Sequence, residues 1–279
     1  MYFDLQLDLG FQQLMANRFL NVPVNVPARS FTPIVDRFPF QTLKQQTQNR
    51  LEQIRANRIP IADAISEKES KNGKFSLTAE SWSIVGKGTD GQARSIANLR
   101  MVYIRGQKNE IINTWIFPKR PDALPVFAAE LISVSGVTRV AFVDIQTPVM
   151  TGDTVNEVTH LTAPLASRFA CLPCDEKAPE WATTASPGNF TYSRQADVNW
   201  TSTIQECYLS YLDTYLKAYA TGTPAKNSAR LPEVRSLTDE LQAYQKHHME
   251  SSPGKKFLGN LFGVEWTDSF LTDFLFAKP

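Results

Sequence analysis

One carboxylate stands inside the longest weakly polar run of the chain. Glu130 lies in the segment LPVFAAELISV, and on the two-residue period of a strand it shares a face with Ala128 and Ile132. In an apolar layer, loss of hydration raises the pKa of a carboxyl group, which can then donate a proton near neutral pH. An edge-strand glutamate that faces solvent would show the same pattern. The residues therefore offer general acid chemistry at Glu130 and leave its orientation open.

Three more polar residues lie in segments that are otherwise apolar. Asn113, in EIINTWIFP, must find a hydrogen-bond partner if its side chain points inward. Most buried polar groups serve structure, so hydrogen bonding at strand ends is the simpler interpretation of Asn113 and Asp144. Arg100 is expected at the surface. None of the three predicts a reaction by itself.

One pair of cysteines has a spacing associated with redox or metal chemistry. Cys171 and Cys174 form CLPC, which could be redox-active or half of a zinc site. A second pair is missing and the histidines are not at finger spacing, so we expect two thiols in a Pro-rich loop and no metal. Three cysteines in 279 residues favour a reducing compartment over a secreted disulfide framework.

The motifs of several common enzyme classes are missing. The sequence contains no GxGxxG after a predicted strand, no GxxxxGK[ST], no HExxH and no GxSxG. Nucleotide binding, zinc protease chemistry and serine hydrolase chemistry therefore have no support from the sequence.

The composition is that of a folded and nearly neutral protein. Of the 279 residues 42% are hydrophobic and 20% are charged, which excludes a disordered acidic or basic tail protein. The net charge of +1 gives no overall field that favours nucleic acid. The run 123–137 is too short for a membrane span, which needs about 20 residues. The acidic start MYFDLQLDLG lacks signal and transit peptide features, so we expect a cytoplasmic protein or one whose presequence has been removed.

The middle third of the sequence has the pattern of an antiparallel sheet. Five β-branched and aromatic segments are separated by turns such as GQKN and GVT, which are too short for parallel crossovers. Helical spacing precedes and follows them, which predicts an α+β protein: a three-layer α/β/α sandwich with a central antiparallel sheet. We expect a single domain over 1–279, with an N-terminal arm and helices in 1–70. The predicted strands are 74–84, 96–106, 110–118, 126–136 and 138–148, and the predicted helices are a short one near 11–19 and then 40–58, 197–220, 236–249, 255–262 and 266–276.

Two blocks of the sequence resemble the ferredoxin-dependent bilin reductases. The first, NTWIFPKRPDALPVFAAELISVSGVTRVAFVDIQTP at 113–148, is similar to a family pattern of asparagine or histidine, an aromatic-Pro step, a Leu-Pro-x-Phe motif with an acid, and a strand ending in aspartate before a proline. The second, at 241–276, resembles the closing helices of that family, with its Leu-Phe-Gly and Glu-Trp pattern. A loop at 179–195 adds support, whereas the first 70 residues match weakly.

The resemblance implies roles for residues of the first block. Glu130 stands at the family's central aspartate, the first proton donor to the bilin, and Asn113 stands where phycoerythrobilin and phytochromobilin synthases have asparagine. That favours the phycoerythrobilin-type branch. Met101 stands where the phycocyanobilin enzyme has its catalytic glutamate, and Leu99 stands where it has a histidine close to that glutamate. Reduction of the exovinyl group on the A-ring side of the bilin, which depends on those two groups, is therefore not expected.

Other implied contacts lie on the same strands and on the closing helices. Phe127 and Asp144 are expected to contact the substrate. Ser252 aligns with the family's second carboxylate and cannot act as an acid. Arg194, Lys255 and Lys256 are candidates to bind the propionates of the substrate.

The resemblance also implies the reaction and its partners. Biliverdin IXα or 15,16-dihydrobiliverdin would be reduced in phycobilin biosynthesis by single electrons from a [2Fe-2S] ferredoxin, with no bound flavin, nicotinamide or metal. Lys119 and Arg120 would help to dock the acidic ferredoxin, while heme oxygenase or a second bilin reductase could be further partners. No nucleic acid or membrane partner is expected, and the compartment would be the cytoplasm of a cyanobacterium or phage host, or the plastid stroma after removal of a transit peptide.

Two other functions fit the same residues. The serine at position 252 is compatible with a bilin carrier or an inactive relative. A glutamate in this strand is also compatible with a reductase of another linear tetrapyrrole, similar to red chlorophyll catabolite reductase.

Overall fold

The computed structural model describes residues 38–277 with the exception of 88–92, 120–123, 149–151, 175–176, 195–197, 221–233 and 252. Within it, residues 36–279 form one compact unit. The predicted helix near 11–19 lies outside the described residues. In the described part of the chain, no helix is long and apolar enough to cross a bilayer.

A single antiparallel sheet forms the middle layer, as the sequence predicts. The strand order is β1-β3-β4-β5-β6-β7-β8, and β2 pairs with the edge of β3. Every pairing between these strands is antiparallel. The consecutive strands β3 to β7 pair in this way because the connections between them are short. The strands are β1 (Asn57–Ile59), β2 (Glu67–Glu69), β3 (Phe75–Lys87), β4 (Ala93–Gly106), β5 (Asn109–Pro118), β6 (Val126–Val134), β7 (Val137–Gln146) and β8 (Thr191–Arg194).

Helices cover both faces of the sheet, which confirms the three-layer arrangement. One face packs against α1, α3 and α5 through an apolar cluster, and the other packs against α4, α6, α7 and α8 through a second cluster. The helices are α1 (Pro39–Gln53), α2 (Asp63–Ser66), α3 (Gly152–Arg168), α4 (Glu180–Thr183), α5 (Thr201–Tyr215), α6 (Val234–Ser251), α7 (Pro253–Phe262) and α8 (Val264–Phe270). A 3-10 turn precedes α5 at Val198–Trp200, and π turns extend α5 over Leu216–Ala220 and α8 over Leu271–Leu275.

The first described helix is shorter than the predicted helix at 40–58. It ends at Gln53 because Arg55 adopts a left-handed backbone with φ 56° and the chain turns into β1. Phe40, Leu43 and Leu51 are fully buried. The helix thus lies flat on the sheet.

Candidate active site

The polar residues singled out in the sequence meet on one face of the sheet. We define the site face by the side chains of Arg100, Asn113, Trp115, Glu130 and Asp144, which alternate with core residues of the opposite face along β4 to β7. Asn113 lies directly opposite Glu130 between β5 and β6. In the adjacent row, Arg100, Trp115, Ala128 and Asp144 follow one another across four strands. The register therefore produces a cluster that no local spacing reveals.

Glu130 lies on an interior strand, on the face of the sheet that α6, α7 and α8 cover; we call these three the closing helices. Because β6 pairs with both β5 and β7, the edge-strand interpretation of this residue is wrong. Its side chain keeps limited contact with solvent, yet burial of the carboxyl group among protein atoms raises its pKa to about 7. A glutamic acid with such a pKa is protonated for about half of the time at neutral pH and can donate a proton.

Asn113 and Trp115 present unpaired polar atoms beside this acid. Within the described residues, the Oδ1 atom of Asn113 and the indole Nε1 of Trp115 are buried and have no hydrogen-bond partner. Orphaned buried polar atoms are rare in native structures because they lose hydration without compensation. Asn113 lies in the middle of β5 and its Oδ1 atom has no partner in the described part of the chain. The interpretation of Asn113 as a residue that forms hydrogen bonds at a strand end is therefore wrong.

Asp144 carries a second buried carboxyl group of the site face. Its side chain has no solvent exposure, and burial raises its pKa to about 7. The side chains of Ser186 and Gln146 and the amide of Ile145 are near enough to oppose that rise in part. None of them, however, makes a hydrogen bond of ordinary geometry, and both carboxyl oxygens lack partners among the described residues.

Arg100 is buried, which corrects the expectation that it lies at the surface. Its Nη1 atom donates to the backbone oxygens of Leu275 at 3.0 Å and Ala277 at 2.8 Å. The oxygen of Ala277 also accepts a hydrogen bond from Gln245 at 3.1 Å. Burial lowers the pKa of Arg100 to about 10, so the side chain stays charged at neutral pH. The arginine thus fixes the C-terminal residues over the sheet.

Aromatic rings form the wall between the sheet and the closing helices. The Trp115 ring stacks on Phe117, with centroids 5.7 Å apart, and meets Phe276 edge-on at 5.4 Å. Helix α6 adds His248 at 5.0 Å and Tyr244 at 6.3 Å from the same indole. Burial lowers the pKa of His248 to about 3, so its imidazole is neutral. A flat conjugated molecule would find matching surfaces here.

Three residues that the resemblance matches to functional positions of the family lie on the opposite face: Phe127, Leu99 and Met101. Phe127 packs against Tyr208 and Tyr215, with ring centroids 5.9 and 6.1 Å apart. Leu99 and Met101 belong to the same cluster. The reason is the two-residue period: Phe127 is an odd number of positions from Glu130, and Arg100 and Val102 take the site-facing positions of β4. Phe127 therefore lies on the face opposite Glu130, and its contact with the substrate stays a prediction.

The basic candidates are spread around the border of the site face. Arg194 ends β8, opposite Val140, on the side of the sheet that also carries Tyr192. Lys255, on α7, forms a salt bridge with Asp268 at 2.8 Å, and Lys256 beside it is exposed. Ser252 and Arg120 lie outside the described residues, and Lys119 is half-buried at the end of β5.

The three cysteines do not belong to the site face. Cys171 and Cys174 are exposed, Cys207 is buried on α5, and none of the three is in a disulfide bond. Among the residues that the structure describes, no group of three or more His, Cys, Asp or Glu side chains is placed to hold a metal ion.

Sequence reasoning missed several residues of this site. Trp115, Tyr244, His248 and Phe276 form its aromatic wall, and Arg100 holds its cover. The indole of Trp115 had a signal in the sequence, because it is two residues from Asn113 and so shares its face. The helix residues had none, since their contacts depend on how α6 packs.

Comparison with known proteins places this site in a family. The family model described as ferredoxin-dependent bilin reductase matches residues 42–277. A phycoerythrobilin:ferredoxin oxidoreductase of Gloeobacter violaceus is 23% identical over 85% of this chain and 94% of its own length. A 15,16-dihydrobiliverdin:ferredoxin oxidoreductase of Nostoc punctiforme is 20% identical over 77% of this chain and 85% of its own.

A solved structure has the same fold. Phytochromobilin synthase from tomato, crystallised in complex with biliverdin, superposes with a TM-score of 0.64 at 18% identity, covering 85% of this chain and 82% of that chain. The family predicted from the blocks at 113–148 and 241–276 is confirmed, since the match spans both. The chain belongs to the ferredoxin-dependent bilin reductase family.

Proposed function

We propose that this protein reduces biliverdin IXα or 15,16-dihydrobiliverdin, bound between the site face and helices α6 to α8, with electrons from a [2Fe-2S] ferredoxin and a proton from Glu130. The names of its relatives support this substrate class: phycoerythrobilin and 15,16-dihydrobiliverdin oxidoreductases both take electrons from ferredoxin. The related phytochromobilin synthase binds biliverdin.

One observation carries the proposal: buried, unpaired polar atoms surround Glu130. Asn113 Oδ1, Trp115 Nε1 and the Asp144 carboxyl oxygens line neighbouring strands of one face. A linear tetrapyrrole supplies what these atoms lack, because its pyrrole nitrogens donate hydrogen bonds and its terminal lactam oxygens accept them. Its conjugated plane also suits the stacked indole and phenyl rings. These unpaired polar atoms and aromatic rings support a bilin as the ligand of the site face.

The chemistry required of the protein is proton delivery and orientation. Reduction of one double bond consumes two electrons, which ferredoxin supplies singly, and two protons. After the first electron, the bilin radical anion takes the proton of Glu130, and this transfer neutralises the added charge in a site of low polarity. Asn113, directly opposite Glu130, would hold a pyrrole or lactam group within reach of the acid.

Basic residues at the border of the site face would bind the propionates of the substrate and the acidic surface of ferredoxin. Propionates would meet Arg194, Lys256 and Lys255, the last after release of Asp268, with Ser252 as a neutral hydrogen-bond donor. Lys119 and Arg120 would meet the acidic surface of ferredoxin. Heme oxygenase, as the source of biliverdin, or a second bilin reductase, as the source of dihydrobiliverdin, would be the neighbouring enzyme in the cell.

Anaerobic turnover tests this function. Purified protein is mixed with biliverdin or dihydrobiliverdin, then with ferredoxin and a reducing system, and absorption spectra are recorded over time. A stoichiometric shift on binding, followed by conversion to a reduced bilin, is the expected result. Binding without conversion would favour a carrier, and conversion of only a chlorophyll catabolite would favour a different reductase.

The Glu130→Gln variant tests the role of the acid within that assay. It should bind the bilin but stop after the first electron, with a bilin radical visible by electron paramagnetic resonance. Glu240→Gln, which changes an exposed glutamate of α6, is the matched control and should turn over normally. Full activity of Glu130→Gln would move the proton source to another group.

A further inference from the structure

Asp144 holds a position on the site face that the mechanism above does not use. Glu130 pairs with Phe142 on the adjacent strand, and Asp144 follows two residues later on the same face. Such a diagonal pair has backbone positions about 7 Å apart. The two carboxyl groups therefore lie on the same face of the sheet, near enough to reach different atoms of one extended molecule.

The surroundings of Asp144 give it no structural task. Its side chain is fully buried, and neither oxygen has a hydrogen-bond partner among the described residues. The hydroxyl of Tyr244, which interacts electrostatically with Asp144, donates its hydrogen bond to Gln146 instead. An unpaired buried carboxyl group costs several kcal/mol in its charged form, so such a group is stable only when it carries a proton or meets a ligand.

We infer that Asp144 is a second catalytic acid, which delivers to the bilin the proton that follows the second electron. This inference rests on the proposed function. One C=C bond is reduced by two electrons from ferredoxin and two protons, and Glu130 carries only one. With Asp144 as the second donor, each acid gives up one proton per bond reduced, and both carboxylates regain their protons from solvent after product release. The carbon atoms protonated by the two acids would lie at different points along the tetrapyrrole.

The electrostatics of Asp144 agree with this role. Burial raises its pKa to about 7, so the proton is present at neutral pH and can also be given up. Two titratable groups interact electrostatically with Asp144, Tyr244 of α6 and Tyr211 of α5, and burial raises the pKa of both phenols above the usual value. Glu130 lies diagonally from it on β6. None of these neighbours is a cation that would favour the charged carboxylate. Arg100 lies three strands away, on β4.

The test is Asp144→Asn, which keeps the shape and removes the acid. We expect bilin affinity to change less than threefold and the first reduction step to proceed as in the wild type. Turnover should fall roughly 100-fold, the lower end of what general acid catalysis contributes, and a bilin that has taken two electrons but only one proton should accumulate. The pH profile of turnover should lose one of its ionisations near 7. Asp239→Asn, on the exposed surface of α6, is the matched control.

The conservative variant separates an acid from a shape requirement. Asp144→Glu retains the carboxyl group and should keep turnover within about tenfold of the wild type, with both ionisations present. Equal losses in the Asn and Glu variants with intact binding, or unchanged turnover in the Asn variant, would overturn the assignment while the reductase function stands. A wild-type protein that reduces no bilin would overturn both.

Discussion

Replacing Glu130 with glutamine should stabilise the substrate-free protein, and by an amount that depends on pH. The pKa of this carboxyl group rises from 4.5 to about 7 on folding because the charged form loses its hydration. A raised pKa means that the folded protein holds the proton more tightly than the unfolded chain does. The stabilising contribution is complete below pH 4.5 and is lost as the pH rises through 7. The difference between the two pKa values corresponds to about 3 kcal/mol.

Urea unfolding at a series of pH values measures this effect. Near pH 4.5 the wild type and Glu130→Gln should differ by little more than the change in hydrogen bonding. Above pH 8 the variant should gain up to about 3 kcal/mol in free energy of unfolding relative to the wild type, because glutamine never ionises. The exposed-site variant Glu240→Gln should show no such pH dependence.

A flat difference across the pH range would refute the reasoning. It would mean that the Glu130 carboxyl group is hydrated in the folded protein and titrates near its ordinary pKa, so that it is ionised at neutral pH. The assignment of Glu130 as proton donor would then lose its physical basis, whatever the turnover of the variant. Stability and catalysis thus test the same pKa by independent measurements.

Three more predictions concern residues around the acid. Arg100→Met leaves the backbone oxygens of Leu275 and Ala277 without their cationic donor, so the free energy of unfolding should fall by about 2 kcal/mol. Hydrogen exchange of the backbone amides in 271–277 should accelerate. Unchanged protection of these amides would show that the arginine does not hold this segment. Asn113→Leu removes a buried unpaired oxygen and should raise the melting temperature of the substrate-free protein while weakening bilin binding about tenfold by titration; unaltered affinity would remove Asn113 from the binding site. Lys119→Glu should slow turnover at low ionic strength, with the difference disappearing as salt is added and bilin affinity unchanged; a salt-independent rate would place the ferredoxin contact elsewhere.

The sequence predicts the sheet and most of the helices because each is a periodic segment bounded by clear turns. All five predicted strands are present, and α5 to α8 follow the predicted helices closely. Helix α3 was not predicted, since threonines interrupt its apolar spacing and Pro164 lies inside it. Strand β8 has only four residues, too few for an alternation to stand out.

The site was predictable only in part, because its geometry depends on register. Alternation along β6 identifies Glu130, but its position opposite Asn113 follows from how β5 and β6 pair across the connection between Pro118 and Val126. The burial of Arg100 depends on backbone oxygens about 175 positions further along the chain, for which its own segment carries no signal. For Phe127, by contrast, counting residues from Glu130 is enough to assign it to the other face.

The two faces of the sheet divide stability and chemistry between them. On the face that packs against α5, the central hydroxyl groups pair with one another: the Tyr208 hydroxyl lies 3.1 Å from Thr47 and 2.9 Å from Thr114, and the rings around it are fully buried. On the site face, Glu130 and Asp144 are buried at a cost in stability, and Asn113 has an unpaired oxygen. Interior strands joined on both sides hold these groups in fixed register, so the apolar layer on one side can offset the unfavourable burial on the other. A bilin that satisfies the orphaned groups should therefore stabilise the folded protein by more than its apolar contacts alone would give, because binding also removes part of this cost.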